Sequence, residues 1–168
     1  MKAIRVTKDK QWALAGVHYV RTHAMVFGFG CSLEAEFEQD TVDSEYILVV
    51  DDDGLPLSTC RIHIEKEKGY AKIERVATVP EARKKGAGRV GILEAEAVIR
   101  EAGIKRIIIT SREEAEGFYQ RLGYTTDENM DPDTLAPYNS KEEREEKINE
   151  VRRTHPLFVT VYMYKNIA

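Results

Sequence analysis

The spacing of hydrophobic positions changes several times along the chain and marks out its elements. A short apolar stretch at Ala3 to Val6 predicts a first strand. From Asp9 the spacing becomes helical. Trp12, Gly16, Val20, Ala24 and Phe27 recur about every four residues, with Asp9 as the expected N-cap and "GFG" at 28–30 as the stop. Ser32 caps a second helix to about Gln39, with Glu34 and Glu36 near the positive end of its dipole. The pattern then shortens. Glu45 to Val50 reads as a strand, "DDDGLP" as a turn and "LSTCRIHIE" as a second strand. After a turn at Lys66 to Gly69, "YAKIERVATV" is a third strand that stops at Pro80.

Helical spacing returns from about Gly88 to Ala102, and Gly103 suits a left-handed helix end. "KRIIIT" is a strand with a buried-type run at Ile107 to Ile109. "SREEAEGFYQRLGY" predicts a helix with Ala115, Phe118 and Leu122 on its apolar stripe, stopped by Gly123. Strand, helix and strand in this order form a crossover, so the sheet is mixed. A loop over 127–139 leads to "SKEEREEKINEVRR", a solvated helix with Ser140 as N-cap and Glu143 as its capping-box partner. "LFVTVYMY" closes the chain as a strand. No repeat or linker interrupts this series. The expectation is one α+β domain over 1–168 with a mixed, mostly antiparallel sheet flanked by helices.

Composition narrows the function. With 168 residues, 42 % hydrophobic and a net charge of −4, the chain is globular and a poor match to nucleic acid. It lacks the roughly 20-residue apolar run of a membrane helix and the apolar core of a signal peptide. Cys31 and Cys60 form no C-x-x-C, and reduced thiols in the cytoplasm are the expectation. His18, His23, His63 and His155 lack metal-ligand spacing, so no metal is expected. Against this acidic background Arg83, Lys84, Lys85 and Arg89 cluster, which suits a small anionic ligand.

"RKKGAGRVG" at 83–91 satisfies two glycine patterns at once, G-x-G-x-x-G and R-x-x-G-x-G. The dinucleotide reading needs its first glycine directly after a strand, yet "PEARKK" separates Val79 from Gly86. It also needs an acidic residue ending the next strand, and the first carboxylate there is Glu113, already within the following helix. The other reading uses every residue. A small-residue loop entering a helix offers unpaired N–H groups and a positive dipole end to a pyrophosphate, with basic side chains around it.

"VATVPEARKKGAGRVGI" resembles the acetyl-CoA-binding motif of the GNAT acyltransferases, and "AEGFYQRLGY" resembles the later F-Y-x-x-x-G-F/Y motif of that family. The resemblance covers about Glu45 to Tyr124. It implies a direct N-acyltransferase with acetyl-CoA (coenzyme A) as co-substrate, bound by Ala77, Thr78, Val79, Arg83, Lys84, Lys85, Gly86, Ala87, Gly88 and Arg89. Main-chain groups at 77–79 would pair with the pantetheine arm; otherwise they form an ordinary buried strand. Tyr119 corresponds to the tyrosine that protonates the leaving thiolate, or it packs its ring in the core. Glu74 is either the base that deprotonates the amine or a salt-bridge partner on the strand, with His63 and Glu65 as weaker candidates. Where the family often has Asn, this chain has Arg112, which either contacts a phosphate or is solvated.

The acceptor is expected to be a small-molecule amine or a peptide amine, flanked by Arg21, His23, Met25 and Phe27 and by His155 and Tyr162. The 127–153 insertion either covers the acceptor side or is a surface excursion, and both monomer and homodimer are compatible with the sequence. Two rivals remain: a non-catalytic coenzyme A sensor, and a nicotinamide-dinucleotide-dependent oxidoreductase.

Overall fold

In the computed structural model, which describes residues 1–168, the chain forms two units, Met1–Lys105 and Arg106–Ala168. The first begins with β1 (Lys2–Val6) and α1 (Gln11–Arg21), which continues as a wider π-type turn over Thr22–Phe27. A short α2 (Leu33–Phe37) leads to β2 (Glu45–Val50), β3 (Pro56–Glu65) and β4 (Tyr70–Thr78), and α3 (Ala87–Glu101) completes the unit. Strands β1 to β4 pair antiparallel in sequence order. The turn into β3 closes through Gly54 N–H to Asp51 O at 3.1 Å, with Gly54 at φ +83°.

Strand β2 carries the helices on either side of it, because consecutive side chains point to opposite faces. A Cβ on Gly16 of α1 would stand 2.7 Å from Leu48 Cδ2, and one on Gly91 of α3 would stand 3.4 Å from Val49 Cγ2. A Cβ at Gly16 would force Leu48 to shift, whereas one at Gly91 would only just touch Val49. Val6, Val17, Val20, Tyr46, Leu48 and Val79 fill the α1 side. Each fully buried aliphatic residue of this kind contributes about 1.5–3 kcal/mol of burial.

The expected face of the first helix is corrected. Trp12 and Phe27 are 68 % and 74 % exposed, whereas Ala13, Gly16, Val17, Val20 and Ala24 are buried. At 3.6 residues per turn, a four-residue spacing drifts about 40° per step and leaves the core face. Asp9 is not the cap either. Lys10 occupies that position and no side chain caps the helix. Ser32 does cap α2, its Oγ accepting from Ala35 N–H at 3.1 Å.

The second unit contains β5 (Arg106–Arg112), α4 (Glu116–Gln120), β6 (Thr125–Thr126), α5 (Lys141–Thr154) and β7 (Thr160–Asn166). Strand β7 pairs antiparallel with both β5 and β6. The expected helix at 111–124 is much shorter, because Ser111 and Arg112 extend β5 and Glu113–Ala115 form a 3₁₀ turn. Its buried residues are also different. Tyr119 is 5 % exposed while Phe118 is only half-buried. As expected, α5 buries no residue. Its cap is a variant of the box: Ser140 Oγ accepts from Glu143 N–H at 3.0 Å, and Glu143 Oε2 accepts from Asn139 N–H at 2.7 Å.

Candidate functional site

The anion-binding candidate is built at the end of β4. Val79 N–H donates back to Leu57 O at 2.9 Å, so this N–H faces β3. Alternation then turns the Thr78 N–H and C=O to the opposite edge, where Thr78 O accepts from Arg83 Nε at 3.4 Å. Ala77 O accepts from Ser58 Oγ at 2.9 Å. Pro80–Ala82 makes one 3₁₀ turn, and Lys84 and Gly86 adopt φ +62° and +91° before α3 begins. The first bond into the helix is Val90 N–H to Gly86 O at 3.1 Å. The N–H groups of Lys84, Lys85, Gly86, Ala87, Gly88 and Arg89 therefore meet no protein acceptor, and no side chain caps α3. The N–H groups of Ala87, Gly88 and Arg89 belong to the first turn of a 15-residue helix, at its positive end, and those of Lys84 to Gly86 lead into it. Arg83, Lys84, Lys85 and Arg89 are exposed around them, and none of these four side chains is in an ion pair.

One feature of β4 carried no sequence signal. Thr59 pairs with Ala77 and Arg61 with Glu74, so Cys60 faces two residues, Arg75 and Val76. This is a β-bulge, and Arg75 sits in it at φ +50°. Positive φ at a residue other than Gly, Asn or Asp is strained by about 1–3 kcal/mol and tends to occur where the backbone serves a site. A glycine there would have marked the bulge; arginine concealed it.

Glu74, just before the bulge, is the end of a charged chain running into the core. Arg61 donates to its Oε2 from Nε at 3.0 Å and from Nη2 at 2.8 Å, and Lys72 lies 3.1 Å from Oε1. Arg61 also reaches Asp40 Oδ1, and Asp40 Oδ2 accepts from Arg21 and from the Tyr46 hydroxyl. Arg21 then pairs with Glu36, which Arg75 approaches at 3.4 Å. Burial pushes the Glu74 carboxyl up, but Lys72 and Arg61 outweigh it and hold it below the usual range. Asp40 is likewise held down by Arg21, Tyr46 and Arg61 against its burial. His63 and Glu65 are instead partners of one another near the end of β3, 2.8 Å apart.

In the second unit, Tyr119 packs edge-on against Phe118 and Tyr124, with centroids 5.0 and 6.0 Å away. The peptide N–H groups of Leu122 and Tyr124 both bond its carbonyl. Arg112 donates to Glu114 Oε2 at 2.9 Å and to Leu157 O at 3.4 Å, so it is engaged within its own unit. The 127–153 insertion is held by buried Asp131, which Lys147 of α5 meets at 2.6 Å, and by Thr110 Oγ1 donating to Pro132 O at 3.0 Å. Of the residues expected to flank the acceptor, Arg21 is fully buried in the ion chain, whereas His23 and Phe27 stack edge-on at 5.6 Å. Met25 is half-buried, His155 is exposed and Tyr162 is buried.

Residues 17–124 match the acetyltransferase (GNAT) family. The chain belongs to this family of acyltransferases. An acetyltransferase-like protein of Bacillus subtilis (strain 168) is 33 % identical over 110 residues, 64 % of this chain and 73 % of that protein. The crystal structure of an N-acetyltransferase-like protein from Lactobacillus plantarum superposes with a TM-score of 0.74 at 22 % identity, covering 100 % of both chains. That of PaiA N-acetyltransferase from Thermoplasma acidophilum, in complex with coenzyme A, gives 0.62 at 14 % identity over 99 % of both. The fold class expected from sequence, a mixed, mostly antiparallel sheet flanked by helices, is the fold of these structures. No helix of the chain is long and apolar enough to cross a membrane, and no cluster of His, Cys, Asp and Glu could hold a metal ion.

Proposed function

We propose that this protein is an acetyl-CoA-dependent N-acyltransferase that moves an acetyl group directly to a primary amine. The observation that carries this reading is the row of six unpaired N–H groups from Lys84 to Arg89, with four exposed cationic side chains nearby that are in no ion pair. That arrangement suits a pyrophosphate bearing a further phosphate, and coenzyme A is such a ligand. The coenzyme A complex of the PaiA relative points the same way. Acetyl-CoA supplies the acetyl group already activated as a thioester.

The chain's own residues divide the work. Ala87, Gly88 and Arg89 bind phosphate through N–H groups, and Arg83, Lys84 and Lys85 screen its charge. The outward-facing N–H and C=O of Thr78, between Ala77 and Val79, align the amide-bearing arm as a strand would. Arg112 serves the cofactor only by leaving Glu114. Tyr119 gives its phenolic proton to the departing sulfur, and Glu74 draws the proton from the attacking amine. With its carboxyl held down by Lys72 and Arg61, Glu74 is a weak base, so it takes the proton once the nitrogen has bonded to the carbonyl carbon and become acidic. A covalent acyl-cysteine route through Cys60 is disfavoured, because burial pushes its thiol up to about 12. We place the protein in the cytoplasm, where acetyl-CoA and reduced thiols coexist.

The test is thermal unfolding with acetyl-CoA, coenzyme A, NAD and ATP, followed by thiol release across a panel of amines. Stabilisation by acetyl-CoA with amine-dependent thiol release is expected. Stabilisation without release identifies a coenzyme A sensor, and a shift with NAD alone overturns the reading.

A further inference from the structure

A cleft of about 60 Å³ opens in the second unit between α4, the 127–153 insertion and the start of β7. At about 10–15 Å³ of such space per water this is room for about four to six waters, which fits a head group and not a whole coenzyme. Arg144 of α5, Tyr138, Glu116 and Asp127 are among the residues that line it. These groups do not neutralise each other. Arg144 is half-buried, its guanidinium makes no ion pair and donates to no protein group, and the Tyr138 hydroxyl has no partner. Glu116 accepts from Thr126 Oγ1 and from Gln120 Nε2 through one oxygen, Oε1, which leaves Oε2 unused. Asp127 likewise uses only Oδ1, for Asn129 N–H at 3.0 Å. A second cleft of about 20 Å³ shares Pro132, Tyr138, Ile148 and Thr160 with the first and adds Val151, Val159 and the Lys147–Asp133 pair, which neutralise one another at 3.0 Å.

We infer that this cleft binds a free α-amino acid with an aliphatic side chain. The carboxylate would lie on Arg144 and Tyr138, the ammonium on Glu116 and Asp127, and the side chain in the adjoining cleft against Ile148, Val151 and Val159. Opposite charges that remain unpaired within one cleft match a zwitterion better than either a simple anion or a simple amine, since each head-group charge then gains a charge-assisted hydrogen bond. The inference stands on this cleft alone. Binding here does not require acetyl-CoA, so its failure and the failure of acyl transfer are read separately.

The experiment is an amide-resolved NMR titration of the whole chain with L-leucine, with L-leucinamide, which lacks the carboxylate, and with 4-methylpentanoate, which lacks the amine. L-Leucine is expected to shift amides within 126–138 and 159–162, and each analogue to bind about tenfold more weakly. Arg144→Ala, on an exposed helix, is expected to weaken L-leucine about tenfold with the spectrum otherwise unchanged, and Tyr138→Phe to weaken it less. If Arg144→Ala disturbs the fold, Tyr138→Phe alone carries the test. Absence of L-leucine shifts, shifts confined to other residues, equal binding of the three compounds, or undiminished affinity in a folded variant overturns the inference.

Discussion

Arg21 and Glu36 meet at 2.9 Å with 0 % and 2 % of their side chains exposed, and Arg21 Nη2 also bonds the Glu36 carbonyl at 2.6 Å. Both charges are therefore removed from water, and each depends on the other. Glu36→Leu alone leaves the buried Arg21 guanidinium with Asp40, already shared with Arg61, as its carboxylate partner, and should cost about 3–5 kcal/mol. The pair Arg21→Met with Glu36→Leu should recover much of that loss, since apolar replacements of buried ion pairs are often neutral. Urea unfolding of the three proteins checks this.

Acid should unfold the protein through Asp40 and Glu74. Both carboxyls are held below their usual range when folded, so the unfolded chain binds protons more readily. Their stabilisation is complete above the unfolded carboxylate range near about 4 and is lost as pH falls through the lower folded values. Melting temperature should stay level from neutral pH to about 5 and fall below about 4. Asp40→Asn should flatten that fall while lowering stability at neutral pH.

Gly86→Asp tests the loop. At φ +91° an L residue is strained by roughly 1–2 kcal/mol, and the new carboxylate would face the same N–H row as a phosphate. The ligand-free protein should melt slightly lower, and the acetyl-CoA stabilisation should disappear.

Tyr119→Phe keeps the ring packing against Phe118 and Tyr124 and removes only the hydroxyl. Thiol release should fall about 10²-fold or more while stabilisation by acetyl-CoA persists. An unchanged rate would remove Tyr119 from the acid role.

Thiol labelling separates the two cysteines. Cys31 is partly exposed and Cys60 fully buried, so iodoacetamide should modify Cys31 first and leave Cys60 intact until unfolding. Cys60→Ala should retain acyl transfer, which counting free thiols and measuring rates will show.

Features encoded within a few neighbouring residues were legible in the sequence. Ser32 and Ser140 cap where their side chains reach an N–H three residues on, and Gly103 turns left-handed at φ +79° after α3. The phosphate-binding candidate was legible because its small and basic residues are contiguous. The bulge at Arg75 was not, since it arises from pairing with β3, nor was the chain from Arg21 through Asp40 and Arg61 to Glu74. Its partners lie 13 to 21 residues apart, and no local spacing announces them. Trp12 misled for a different reason: a large apolar residue at a nearly helical interval suggests a core that the helix twist then carries it past.

The contact of Gly91 with Val49 has a mechanical corollary. It acts as a spacer of fixed thickness, so the depth at which α3 seats on its strand also sets how far its first turn projects. Enlarging that one residue would lift the whole rod and displace the mouth of the loop, though no atom of the loop itself had been altered. The place of the helix mouth is thus gauged from inside the molecule.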